Sequence, residues 1–291
     1  MSETRPLHWS VRRELWENRS IYIAPLAVAA VVLLATSLGT IGLPRKMRTL
    51  PTLDPAKQHA TVARPYSLAP APIMLATLLV GFFYCLDALY GERRDRSILF
   101  WKSLPVSDRT TVISKASIPL VVLPLIALAL SIVTQLILLM LSTLVLLGNG
   151  LSPATLWAEV GFFRGLLIMP YGLTVHALWF APIYGWLLLI STWAKRAPIL
   201  WALLPPLAVA AVERIVFSTS YFGFMLKYRV AGAMTEAFAL KLQRGGDGDI
   251  SHLSQLTPAR FLSAPGLWVG LAFTAACLAA AVRLRRNREP I

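Results

Sequence analysis

Charge is what this chain has least of. Only 14% of its 291 residues are Asp, Glu, Lys or Arg, against ~25% in soluble domains. With 56% hydrophobic residues and a mean hydropathy of +0.63, the shortfall excludes an ordinary water-soluble domain and leaves a polytopic membrane protein. Cysteine is scarce as well. Cys85 and Cys277 lie in apolar runs, without CxxC or Cys/His spacing, which excludes a disulfide scaffold or zinc module and leaves two packing residues. His8, His59, His176 and His252 stand too far apart in sequence to suggest a site. No Gly-Lys dipeptide occurs, so there is no Walker A loop to hold a nucleotide phosphate. HExxH and GxSxG are missing too, so neither an enzyme nor a resident cofactor or metal is expected. Ionisable groups barely enter the apolar runs: Asp87, Glu213 and Arg214 sit near run ends, and His176 alone lies well inside one. Ion-coupled transport usually needs such groups at mid-membrane.

What the chain does have is apolar length. Six helical spans are predicted at about 20–40, 68–90, 117–147, 165–193, 198–217 and 265–282, near or above the ~20 residues that cross a bilayer. The third and fourth exceed that length and must tilt, kink or project; Pro119, Pro124, Pro170 and Pro182 offer kink points. The first apolar run, Ile21 to Leu38, is too long for a signal h-region and lacks an Ala-x-Ala site, so an uncleaved first span is expected. Before it, residues 5–19 place Leu7, Val11, Leu15 and Trp16 at helical spacing among Arg12, Arg13, Glu14 and Glu17, the pattern of an amphipathic interfacial helix. The fold class is therefore all-α, one membrane domain over residues 1–291.

The formal net charge is +14. Its basic residues are scattered among loops without a nucleic-acid motif, so lipid headgroups are the expected partners rather than nucleic acid. With both termini in the cytoplasm, 16 Lys and Arg flank the inner span ends and 12 the outer ones; the inner ones sit in short segments, which count most. Residues 217–264 then lie outside the bilayer, with a helix-like piece at 229–242 and a loose tip at Gly245–Gly248. Their apolar content favours short re-entrant or interfacial helices over disorder. Gly161-x-x-x-Gly165 and Gly266-x-x-x-Gly270 permit close helix contact, within one chain or between two. Gln135, Thr134 and Ser131 suit helix contacts or a polar translocation path.

One polar stretch interrupts the apolar runs: Gly91 to Lys115, GERRDRSILFWKSLPVSDRTTVISK. Glu92 and Arg96 are spaced as an i, i+4 pair. Ile98, Leu99, Phe100 and Trp101 face the cytosol unless they pack. Leu104–Pro105 ends a short transverse helix, and Ser107 caps the next with Asp108 in its first turn. A charged helix bearing aromatics suits a groove on a soluble partner; a headgroup-bound loop is the alternative.

The run from Leu89 to Ser107, LYGERRDRSILFWKSLPVS, closely resembles the cytoplasmic loop after the second span of bacterial ABC-2 type transporter permeases. The layout of six spans, an N-terminal helix and a long segment before the last span also looks like that family. The resemblance implies an inner-membrane exporter subunit, multi-pass with both termini cytoplasmic. Two permease chains would pair, as a homodimer or heterodimer, above two copies of a separate ABC ATP-binding subunit. Residues 91–108 would be the coupling element, with Glu92, Arg94, Asp95, Arg96, Phe100 and Trp101 at the partner and Pro105 shaping the turn. ATP hydrolysis would belong to the partner, as the missing Walker A loop requires. A stand-alone secondary transporter and a non-transporting scaffold remain open, as does the substrate.

Overall fold

The computed structural model describes residues 6–50, 54–103, 106–238 and 253–287. Fifteen α-helices run through them: α1 Pro6–Glu17, α2 Ser20–Thr40, α3 Leu43–Thr49, α4 Pro55–Leu68, α5 Pro70–Asp87, α6 Tyr90–Arg94, α7 Ser97–Ser103, α8 Asp108–Ser117, α9 Leu123–Gly148, α10 Ala154–Val160, α11 Phe162–Trp193, α12 Pro198–Val216, α13 Tyr221–Ala237, α14 Pro258–Ser263 and α15 Pro265–Asn287. The only β pairing among them is a bridge between Phe238 and Leu256.

Six helical rods are long and apolar enough to cross a membrane: Ser20–Thr40, Thr61–Arg94, Asp108–Gly148, Ala154–Trp193, Pro198–Val216 and Pro265–Asn287. The chain is therefore a multi-pass membrane protein. Its surface agrees, because Val31, Leu34, Leu38, Leu144 and Val269 are all more than 60% exposed, in a pattern that water would not tolerate over contiguous patches. Small and polar residues instead fill the helix contacts. A Cβ at Gly185 would sit 3.2 Å from the Cα of Thr274, so α11 and α15 cross with their backbones close together.

The prolines sit within these rods without cutting them. Pro119 lies in a π-helical turn, Ile118–Val122, between α8 and α9. A proline has no N–H for the helical ladder, and a π turn absorbs that loss. Pro170 and Pro182 stay inside α11. At 32 residues, α11 is about 48 Å long, well beyond the ~30 Å hydrocarbon core.

Both described ends of the chain, α1 and the last turn of α15, meet at one end of the bundle beside α6 and α8. An apolar cluster there joins Ile21, Leu89, Val112, Leu188 and Ala281. The opposite end divides into two lobes. One packs Leu43, Val62, Tyr66, Leu138, Leu146 and Leu156 from α3, α4, α9 and α10. The other packs Ile168, Trp179, Phe238, Phe261 and Leu267 around α11, α13 and α14. Within it Gly266 faces the ring of Tyr228, and Gly270 faces Arg229 and Pro182, so this glycine pair is used inside the chain. Gly161 has φ 58°, and its role is to end α10 before α11 begins.

Candidate functional site

The polar stretch folds into three short helices at the end of the bundle that carries α1. α6 continues from α5 through Gly91, where a Cβ would lie 3.1 Å from an Asp87 carboxylate oxygen. It stops at Arg94 because Arg96 takes a left-handed conformation, φ 57°. One turn of helix therefore sends Glu92 and Arg93 inward and Arg94 outward. Arg93 donates from Nη2 to the carbonyls of Ser191, at 2.9 Å, and Ala194, at the C-terminal end of α11 where helix carbonyls lack partners. The Ser191 hydroxyl in turn accepts from the backbone N–H groups of Leu89, 3.0 Å, and Tyr90, 2.8 Å. The two helix ends thus satisfy each other.

Glu92 is the centre of a buried ionic cluster. Lys115 Nζ of α8 lies 3.1 Å from Glu92 Oε1 and 2.9 Å from Glu14 Oε1 of α1. Arg285 of α15 bonds Glu92 Oε2 through Nη1 and Asp108 Oδ1 through Nε, the latter at 3.0 Å. Arg13 Nη2 approaches Glu14 at 2.8 Å and Glu92 at 3.4 Å. The Tyr84 hydroxyl donates to Glu14 Oε2 at 2.8 Å. Three carboxylates, Glu14, Glu92 and Asp108, therefore meet three cations, and a fourth carboxylate, Glu17, lies on the rim 3.6 Å from Arg13 Nε. The side chains of Glu14, Lys115 and Arg285 are 0%, 3% and 3% exposed, so losing any one strands a charge away from water. Burial raises the Glu14 pKa, but Lys115, the Tyr84 hydroxyl and Arg13 outweigh it and hold the carboxyl below its usual range. Glu17, on the rim, is shifted the other way by desolvation.

Above this hub stands an exposed corner. Ile98 anchors α7, being 2% exposed, whereas Leu99 and Phe100 are 60% and 59% exposed. Trp101 is half-buried: the Arg13 guanidinium lies 3.9 Å over its ring and the Phe100 edge meets it at 4.9 Å. Arg94 and Asp95 are exposed and paired at 2.9 Å, which lowers the Asp95 pKa. Arg96 is exposed beside them. A polar groove of about 630 Å³ is lined by Trp101, Lys102, Ser107, Asp108 and Arg286, and Lys102 Nζ donates to the Arg286 carbonyl at 3.4 Å. Ser107 caps α8 by accepting from the Thr110 N–H at 3.1 Å, as the sequence indicates.

The expected coupling residues thus fall into two groups. Arg94, Asp95, Arg96 and Phe100 lie on the open corner, with Trp101 at its edge. Glu92 is turned away into the hub. The spacing-based pair of Glu92 with Arg96 does not form, because α6 has ended before Arg96 and a left-handed residue cannot complete an i, i+4 face. Leu104 and Pro105 lie outside the described residues. Sequence reading missed Arg13, Lys115 and Arg285 as partners of Glu92, Glu14 as the second carboxylate on Lys115, and Ser191 as the partner of α6. Their one signal is position, since each stands where an apolar run meets a polar segment.

Two further ionisable groups, Glu213 and Arg229, do local work. Glu213 accepts from the N–H groups of Tyr221, 2.7 Å, and Phe222, 2.8 Å, capping α13 from the end of α12. Arg229 lies over the Trp179 ring at 4.7 Å and donates to the Gly266 carbonyl. Among the described residues no three His, Cys, Asp or Glu side chains gather to hold a metal. No family model, curated protein or solved structure matches the chain.

Proposed function

We propose that this chain is the membrane subunit of an ATP-driven exporter of the ABC-2 type, resident in a bacterial inner membrane with the hub end in the cytoplasm. The observation that carries the reading is the exposed Leu99–Phe100 corner standing directly on a buried ionic hub. A soluble ATP-binding subunit that grips α7 exerts force on a lever with no slack. Arg93 links the corner to α11. Glu92 links it to α8 and α15, and through Lys115 to α1. Four helices then receive a displacement made at one short helix, as rocking between inward-open and outward-open states requires. The sequence resemblance of residues 89–107 supports the same assignment, and so does the weight of Lys and Arg in the short hub-end segments.

On this reading Arg94, Asp95, Arg96, Phe100 and Trp101 contact the partner, while Glu92 positions them. The chain works as a pair with a second permease chain, and α12 offers a face for it, since almost none of that helix is buried. The test is purification of the tagged chain from its native membrane, with identification of co-purifying proteins and an ATPase assay. Stoichiometric recovery of a subunit bearing a Walker A loop, with vanadate-sensitive ATPase activity, is expected. Asp95→Arg and Phe100→Ala should each reduce that recovery while the chain stays in the membrane. A stable lone chain without ATPase activity would move the assignment to a secondary transporter or scaffold.

A further inference from the structure

The two lobes at the far end do not close on each other. Between them runs a cleft of about 530 Å³, walled by α4, α5 and α9 on one side and by α11 and α13 on the other. That volume lies within the ~300–1,000 Å³ of small-molecule sites. Its lining follows α11 from Gly161 to Phe180, a trough on the order of 28 Å long at ~1.5 Å per residue. Small residues open it: a Cβ on Gly165 would meet nothing within 4 Å. Among the described residues no charged side chain lines it, so an ionised ligand would lose its hydration without compensation from them.

Four polar side chains line the trough: Ser67 of α4, Ser131 and Gln135 of α9, and His176 of α11; Ser67 bonds the Arg64 carbonyl of its own helix at 3.2 Å. Ser131 is 3% exposed, yet its hydroxyl has no hydrogen-bond partner among the described residues. A serine inside a helix commonly bonds the i−4 carbonyl, as Ser142, Thr143, Thr174 and Thr192 do here. Gln135 bonds the Tyr66 carbonyl through Nε2 at 3.0 Å, and its own carbonyl oxygen is left over. His176 rests on the Phe180 ring at 4.6 Å and makes no hydrogen bond among the described residues. A donor, an acceptor and an imidazole thus share the wall of a largely apolar trough.

We propose that this cleft binds an uncharged, elongated, largely apolar molecule with a single hydroxyl or carbonyl group. That group sits deep, against Ser131, Gln135 and His176, and the apolar body runs along α11 towards Gly161. A bilayer lipid has the opposite polarity, with its headgroup at the surface and its tail at mid-membrane. An acyl tail filling the cleft would leave Ser131 unpaired.

The test is photolabelling of the purified full-length chain in nanodiscs with a C16 alcohol carrying a diazirine next to the hydroxyl. The matching diazirine alkane and the matching fatty acid serve as controls. Saturable labelling by the alcohol is expected on the α9 segment around Ser131 and the α11 segment around His176. Unlabelled hexadecanol should compete, and neither control should label saturably. Ser131→Ala, which removes one oxygen, should weaken competition about five- to tenfold, the equivalent of one lost hydrogen bond. Gly165→Phe, which fills the trough, should abolish labelling; if that variant fails to fold, Ser131→Ala still decides. Equal labelling by the alkane, labelling confined to the membrane surface, or indifference to Ser131→Ala would overturn the proposal and assign the cleft to bulk lipid tails. The assay needs neither ATP nor a partner, so its outcome is separate from that of the exporter test.

Discussion

Lys115 holds two carboxylates at once, Glu14 at 2.9 Å and Glu92 at 3.1 Å, and so its removal should cost more than its bonds suggest. A buried pair adds little net stability over an apolar filling, but deleting one partner strands the other and costs ~3–5 kcal/mol. Lys115→Met keeps the stem volume and leaves Glu14 and Glu92 facing each other without the ammonium. We expect a loss of about 3–5 kcal/mol, read as a lowered melting temperature of the detergent-solubilised chain. Replacing Arg94, which is 53% exposed, should change melting very little. The same cluster sets a pH dependence. The Glu14 pKa is lowered on folding, so its contribution is complete above the unfolded value, ~4.3 for glutamate, and is lost as pH falls through the lower folded value. Glu17, whose pKa is raised, has the opposite sign: it disfavours folding at neutral pH, and protonation relieves that as the pH drops. Because Glu14 is wholly buried and Glu17 lies on the rim, Glu14 should dominate. Stability is then flat from about pH 8 to 5 and falls below about pH 4. Glu14→Gln should flatten that acid limb in melting curves taken across the range; an unchanged slope would remove Glu14 from its cause.

Gly270 shows how one element is seated on two others. A side chain there would begin 2.8 Å from Pro182 of α11 and 2.6 Å from the Arg229 guanidinium of α13. Arg229 can swing away, but the proline ring within a packed helix cannot. Gly270→Val should therefore lever α13 off α11 and α15, at an overpacking cost of ~1–3 kcal/mol. Hydrogen exchange should speed up in α13 and α14, while α1, α6 and α8 keep their protection; uniform acceleration would show that the lobes are not separate. At this scale the sequence was legible where one physical requirement acts alone. A span needs ~20 apolar residues, and six were expected where six helices long and apolar enough stand, although the rods beginning at Thr61, Asp108 and Ala154 start well before the expected 68, 117 and 165. The Ser107 cap emerged because its bond is local. The sequence placed a helix at 229–242, whereas α13 begins at Tyr221, because Glu213 supplies its cap from the preceding span. Residues 239–242 lie outside the described residues. The hub was illegible because its members are distant: Arg285 and Glu92 are 193 positions apart, and no spacing rule reaches that far. Glu92 read as a surface residue for the same reason, since its i+4 neighbour was visible in the sequence and Lys115 as its partner was not.

At the scale of the whole molecule, the hub end and the two-lobed end should face opposite compartments, and the chain's own cysteines make this easy to measure. Cys85 and Cys277 are both buried, at 0% and 4% exposed, so a membrane-impermeant maleimide should scarcely label the unmodified protein. A single new thiol then reports its compartment. Arg96→Cys places one on the exposed corner beyond α6, and Ser152→Cys places one on the exposed turn between α9 and α10. Both positions lie outside the apolar contacts, so neither change should disturb the fold. With the hub in the cytoplasm, intact cells label Ser152→Cys and spare Arg96→Cys, and inverted vesicles do the reverse. The opposite result would put the corner outside, where no ATP-binding subunit can reach it. It would also turn the short Lys- and Arg-rich segments outward, against the bias that orients membrane helices. Labelling of both thiols from the same side would contradict the fold itself. Arg96 follows the rod that ends at Arg94 and Ser152 follows the rod that ends at Gly148, so the single rod Asp108–Gly148 runs between them. An odd number of crossings separates the two residues only if that rod passes through the membrane.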